Sequence, residues 1–285
     1  MNIITTSDYK YLPQFNALAA SALKNSPKTH IVCRVINCAK DSLIHFSNVS
    51  YIFDDIVLES KPNIMGSKSL YFRKQKDLPS DRTPKYNKIP ERINNYQTTG
   101  RIYSELQSYC TGIKYDTLFT EMSKKNGIFV YSDVDALICK DLYDLENALE
   151  SNNVDIGIVT DRQHSESVEE FNSVFKLYNE EVNLKTGGLL AFKKTETSLR
   201  FLEYCKNNID LKNIDGDEIV FNEACTILNP KLLSIPVTFK DEGGREADNF
   251  SSLSYIWSGH GEVKDFSSMY DKEVKKYLKV ADSIL

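Results

Sequence analysis

GIFVYSDVDALICKDL, residues 127–142, decides how the rest of the chain is read. Its core, Ile128-Phe129-Val130-Tyr131, is short, β-branched and aromatic, with no strongly polar position on either face. A strand with apolar side chains on both faces is covered on both, so it belongs in the middle of a parallel sheet flanked by helices. The run ends in Ser132-Asp133-Val134-Asp135. Ligands of such sheets sit outside the carboxyl ends of the strands. Side chains of an extended segment alternate, so carboxylates at i and i+2 leave the chain on one side and can share a hard divalent cation. Apolar Ala136-Leu137-Ile138 follows. Two carboxylates held between buried segments repel each other unless a cation or hydrogen-bond donors compensate them. The motif therefore predicts Mg²⁺ or Mn²⁺ held against a diphosphate. Asp-x-Asp triplets also arise on solvated surfaces; the buried flanks set this one apart.

Outward from that strand, strand and helix signals alternate. Asn2–Thr6 reads as a strand, and Leu12, Phe15, Leu18, Ala19, Ala22 and Leu23 follow at helical spacing. Further strands are expected at 29–36, 51–58, 155–159 and 187–192, and helices at 102–109, 115–122, 142–149, 168–178 and 196–207. The pattern is that of an α/β protein with a mixed, mainly parallel sheet. One domain over residues 1–285 accommodates it.

Composition narrows the function. With 285 residues, 41% of them hydrophobic, the chain has ample material for a large core. Its net charge of −5 argues against a general nucleic-acid binder, which needs a basic face. The N-terminus lacks a basic start with a long apolar run, and no stretch of roughly 18 apolar residues occurs. The expectation is a soluble, cytoplasmic protein. Its basic, amphipathic C-terminal segment, DKEVKKYLKVADSIL, would allow at most peripheral membrane contact. The six cysteines form no Cys-x-x-Cys pair, so neither a disulfide framework nor a zinc site is indicated. Residues 61–95 stand apart, with nine Lys or Arg, three acidic residues and four prolines. This basic excursion reads either as a solvated insertion or as a segment that grips an acidic acceptor or donor phosphates.

In series, these pieces resemble a GT-A (Rossmann-like) glycosyltransferase, particularly the retaining glycogenin-like and lipopolysaccharide galactosyltransferase group and related nucleotide-diphospho-sugar transferases. IITTSDYKYLPQFNALAASALKNSP, residues 3–27, resembles the family's opening strand, nucleoside-contacting loop and first helix. Lys114 precedes SDVD as the family's basic residue does. TGGLLAF at 186–192, GDEIVFNEA at 216–224 and GHGEVKDF at 259–266 resemble the strand facing the sugar, the Asp-Gln-x-x-x-Asn helix start and the His...Gly-x-x-Lys segment. The likeness spans about residues 1–266 without the basic excursion. The chain departs from the pattern at Lys185-Thr186, at Glu218 where Gln is usual, and at His260, which adjoins Gly261 instead of preceding it by three.

The resemblance implies a metal-dependent hexosyl- or pentosyltransferase. Residues 1–135 would bind the nucleotide sugar, UDP-linked in the favoured case. Residues 136–285 would bind a glycan, glycoprotein or glycolipid acceptor. Asp133, Asp135 and His260 would hold Mn²⁺ or Mg²⁺, and Lys264 would meet the phosphates. Thr5, Thr6, Asp8 and Tyr9 would line the nucleoside pocket, with Val134 between the two metal-binding carboxylates. Lys114 would contact the donor sugar and Asp133. Gly187 and Gly188 would let the sugar approach the backbone. Asp217 would face the anomeric carbon, with Glu218 beside it. Retention follows from the resemblance alone; an inverting enzyme would use Asp217 or Glu218 as general base on the acceptor hydroxyl. The rival readings are a degenerate nucleotide-sugar or carbohydrate-binding module and a haloacid dehalogenase-like phosphatase. The latter usually carries Thr or Val where Leu137 stands.

Overall fold

The computed structural model describes residues 1–57, 62–64, 102–159, 176–177, 188–209, 211, 216–243, 250–259 and 269–283. The chain opens with β1 (Asn2–Asp8), a 3-10 turn at Tyr9–Tyr11 and α1 (Leu12–Asn25), which has Pro13 in its first turn. Pro is tolerated there because the first helical N–H groups have no intrahelical acceptor. Then come β2 (His30–Ile36), β3 (Val49–Asp54), and a ribbon of β4 (Pro62–Ile64) with β5 (Ile102–Ser104). The expected helix at 102–109 thus begins late: its first three residues pair as a strand, and α2 runs Glu105–Gly112. Next are α3 (Lys114–Lys124), β6 (Ile128–Ser132), β7 (Ala136–Ile138), α4 (Tyr143–Ser151) and β8 (Ile156–Val159). The two-residue β9 (Lys176–Leu177) falls where a helix was expected at 168–178; the rest of that segment lies outside the described residues. β10 (Leu189–Lys193), α5 (Glu196–Asn208), α6 (Gly216–Leu228), β11 (Leu232–Ile235), β12 (Ile256–Ser258) and α7 (Met269–Asp282) complete the order.

Eight strands form one sheet in the order β3-β2-β1-β6-β10-β8-β11-β9. β1, β2, β3 and β6 run parallel, as do β8 and β11, and β10 is antiparallel to both of its neighbours. β6 lies inside the sheet with all five residues buried. Its side chains alternate as period two requires. Ile128 and Val130 join the cluster under α1 and α4, whereas Phe129 and Tyr131 join the cluster formed by α3, α5 and α6. Burial of each apolar side chain in such a strand contributes roughly 1.5–3 kcal/mol. That two-sided burial is why an uninterrupted apolar run is required here.

The fold carries the chain outward from β1 in one direction to β2 and in the other to β6. Such a reversal of winding leaves a crevice at the carboxyl ends of the two strands, where α/β sheets take their ligands. Among the described residues, no helix is long and apolar enough to cross a membrane. The basic excursion at 61–95 lies outside the described residues apart from β4.

Candidate active site

Three chain segments meet at that crevice. β1 ends at Asp8, β6 ends at Ser132, and antiparallel β10 begins beside it, with Leu189 opposite Ser132 and the Asp133 N–H donating to the Gly188 carbonyl at 3.0 Å. Asp133 leaves the strand, and Val134-Asp135 form a turn before β7 resumes at Ala136. The expectation that strand alternation aligns the two carboxylates therefore fails on geometry. What presents them is a turn between two buried strands. β12 pairs with β7 with Ser258 opposite Ala136, and the Gly259 N–H donates to the Asp135 carbonyl at 2.7 Å. The chain thus reaches Asp135 one residue before His260.

Gly188 has a positive φ of 72°. A Cβ there would stand 2.3 Å from the Asp133 Oδ2 and 2.9 Å from the Lys240 Cε. Glycine is required on both counts, since it alone tolerates this backbone freely and leaves room for the carboxylate. Tyr131, two residues before Asp133 and nearly fully buried, has the Asp133 carboxylate near its hydroxyl. Burial first, and then the Asp133 charge, push this phenol well above its ordinary pKa. It therefore stays protonated.

The second cluster comes from helix starts. Lys114 opens α3 and Asp217 is the second residue of α6, and their side chains pair at 2.5 Å with 3% and 8% exposure. The Tyr115 hydroxyl donates to the Asp217 carbonyl at 2.9 Å, fixing the α6 start against α3. The Lys114 ammonium also lies over the Tyr131 ring, 4.9 Å from its centroid. Tyr131 thus has Asp133 at its hydroxyl and Lys114 at its face, with the Asp217 charge also raising its pKa. Lys114, expected to contact Asp133, has its ion pair with Asp217. A carboxylate at a helix N-terminus is favoured by the backbone dipole, and a buried one needs the paired cation.

Of the expected nucleoside residues, Thr5 and Thr6 are buried on β1, and neither hydroxyl has a hydrogen-bond partner among the described residues. Successive residues of a strand face opposite ways, so the two hydroxyls leave the sheet on opposite faces. Asp8 caps the 3-10 turn, its carboxylate accepting from the Tyr11 N–H at 3.2 Å, and Tyr9 beside it is 72% exposed. Gly187, His260 and Lys264 lie outside the described residues, as does the side chain of Glu218. Among the described residues, no group of three His, Cys, Asp or Glu side chains is arranged to hold a metal ion. Three residues at the site were not expected from sequence: Tyr131, Lys240 and Glu242. The last two form a 2.5 Å ion pair, with Lys240 beside Asp133 across Gly188. Only the charged triplet Lys240-Asp241-Glu242 after apolar LLSIPVTF offered a signal.

No protein-family model and no curated protein sequence matches the chain. Solved structures do. An active-site mutant of LgtC, a galactosyltransferase, superposes over 98% of this chain and 96% of its own, with a TM-score of 0.50 at 11% identity. The glycosyltransferase GlyE of Streptococcus pneumoniae superposes with a TM-score of 0.54 at 11% identity, over the whole of this chain and 62% of GlyE. Its apo form gives 0.55. The fold is of the GT-A, Rossmann-like type. This chain spans less than two thirds of GlyE but nearly all of LgtC. At 11% identity the likeness is one of architecture, and the chemistry must be argued from the side chains.

Proposed function

We propose that the chain is a glycosyltransferase that moves a sugar from a nucleotide-diphosphate donor, UDP-linked in the favoured case, to a hydroxyl of a glycan or other acceptor, with retention. The observation that carries this reading is the gathering of Asp133, Lys114 and Asp217 around one buried tyrosine at the switch point of a GT-A sheet. The residues fit a hard divalent cation: two carboxylates on a turn, one of them near a protonated phenol and kept accessible by the missing Cβ of Gly188. Asp133 and Asp135, with His260, would hold Mn²⁺ or Mg²⁺, which supplies Lewis-acid neutralisation of the leaving diphosphate.

The remaining residues orient and exclude. Tyr9, exposed beside the end of β1, offers its ring to a base, while Asp8 fixes the turn that presents it. Lys114 holds the Asp217 carboxylate at one position in a nearly dry site, where negative charge favours an oxocarbenium-like centre. Gly187 and Gly188 admit the sugar near the backbone, and Lys264 adds positive charge for the phosphates. Glu218 follows Asp217 on the face proposed for the acceptor. In this reading residues 1–135 bind the donor and residues 136–285 the acceptor.

The test is thermal stabilisation by a panel of nucleoside diphosphates and nucleotide sugars, each with and without Mn²⁺. One nucleotide should stabilise in a metal-dependent manner, by about 2.7 kcal/mol at a hundredfold excess over Kd. Asp135→Ala should lose that response while melting cooperatively. A wild-type protein that responds to no donor refutes the reading and leaves a degenerate binding module or a different substrate class.

A further inference from the structure

The triplet Lys240-Asp241-Glu242 follows the 3-10 turn Val237–Phe239, after β11. Its middle residue is a fixed anchor. Asp241 is fully buried, and its carboxylate accepts from the Gly243 N–H at 2.9 Å, the Ser251 N–H at 2.8 Å and the Ser254 hydroxyl at 2.6 Å. Its backbone is tied to β12 on both sides, by its own N–H to the Ile256 carbonyl at 2.9 Å and by the Ser258 N–H to its carbonyl at 2.7 Å. A carboxylate with three donors has most of its hydrogen-bonding capacity satisfied and little freedom to move. Its two neighbours in the chain are thereby held in place as well.

Those neighbours pair with each other. The Lys240 ammonium meets the Glu242 carboxylate at 2.5 Å, and both side chains are largely buried, at 15% and 20% exposure. The Lys240 stem also passes the Gly188 α-carbon on the side where Asp133 stands, its Cε and the Asp133 Oδ2 lying 2.9 and 2.3 Å from the same point. A lysine on a flexible four-carbon stem pairs with whichever carboxylate it can reach. Here two are within its compass, and the ion pair is made with Glu242.

We propose that Glu242 holds Lys240 off Asp133 and so keeps that carboxylate available to a divalent cation. The pair sets the site's metal affinity without ligating the metal. This rests on the reading of Asp133 and Asp135 as metal ligands. Without Glu242, Lys240 is left to compensate Asp133, and a cation must then displace an ammonium before it can bind. Lys240 and Glu242 are positioning residues in this account.

Mn²⁺ binding by the intact protein, followed by electron paramagnetic resonance of the free ion, separates the possibilities without any measurement of turnover. Glu242→Gln should weaken Mn²⁺ binding by about tenfold or more, as loss of a group that orients a ligand does. Lys240→Met should bind at least as tightly as the wild type. The double variant Lys240→Met with Glu242→Gln should recover wild-type affinity, which a merely misfolded or ligand-depleted site would not do. Wild-type affinity in Glu242→Gln overturns the proposal, as does a double variant as weak as Glu242→Gln. If the wild type binds no Mn²⁺ even with nucleoside diphosphate, the metal reading of Asp133 and Asp135 falls, and this one with it. If the wild type binds and only the Glu242 series fails, the metal reading stands alone.

Discussion

Replacing Gly188 by alanine tests whether the turn at Asp133 is a site or merely a turn. Two costs follow from the structure. A non-glycine residue at φ 72° carries backbone strain of order 1–3 kcal/mol. The second cost is local. The new Cβ would lie 2.3 Å from the Asp133 Oδ2, against an ordinary contact that begins at 3.4 Å, so the carboxylate must move by about 1 Å. A displacement of that size in a site that positions its ligand can cost on the order of a hundredfold in activity.

Gly127 supplies the control. Its φ is 119°, so alanine there is strained as well, yet the nearest atom to its added Cβ is the Asn2 Nδ2 at 3.9 Å. Both variants should lose roughly 1–3 kcal/mol in urea denaturation. Only Gly188→Ala should also lose the Mn²⁺-dependent stabilisation by nucleoside diphosphate, and any donor turnover, by about a hundredfold. Equal donor responses in the two variants would refute the argument that Gly188 exists for Asp133. So would a Gly188→Ala protein with wild-type donor binding.

Lys114→Met and Asp217→Asn each strand one member of a buried pair and should lower stability by about 3–5 kcal/mol, the double variant losing less than the sum. Urea midpoints check this, and single variants within about 1 kcal/mol of wild type would show that the pair is solvated. His30, pressed by burial and then by the Lys125 charge, has its pKa lowered from 6.5, so the folded protein resists its protonation. Its contribution to stability is present above 6.5 and is lost as pH falls through the lower folded value. His30→Gln should flatten that acid limb, and parallel urea midpoints for both proteins on the two sides of pH 6.5 would contradict it.

Much of the architecture was legible because it follows from short-range pattern. The unbroken apolar run of β6 is possible only where both faces are covered, and the spacing of Leu12, Phe15, Leu18 and Ala22 is that of α1. The errors have local causes. Ile102–Ser104 continue a helical pattern in sequence but pair with Pro62–Ile64, a partner some forty positions away. Asp133-Val134-Asp135 look like the end of a strand, yet they fall between β6, which pairs with β10 up to Ser132, and β7, which pairs with β12 from Ala136. Lys114 was recognisable as a site residue but its partner was not, since Asp217 lies 103 residues on and the pairing depends on how α3 meets α6. The direction of β10 and the place of Lys240 and Glu242 belong to the same class. They exist only after distant elements have packed.

The charges at the site are not all treated alike. Asp217 is met by the Lys114 ammonium, Glu242 by that of Lys240, and Asp241 by three hydrogen bonds in full burial. Asp133 lies near the hydroxyl of Tyr131, a neutral group that burial keeps protonated. A neutral group beside a carboxylate leaves its charge uncancelled, whereas an ammonium at contact distance is worth about 4 kcal/mol of attraction at an effective dielectric of 20. Asp133 is therefore flanked by a neutral group and given room by Gly188, while the ammonium groups pair with Asp217 and Glu242. Those are the properties a ligand for a metal ion needs. They are distinct from what a structural carboxylate needs, and Asp241, next to Lys240 in the chain and wholly enclosed, provides the contrast within the same fold.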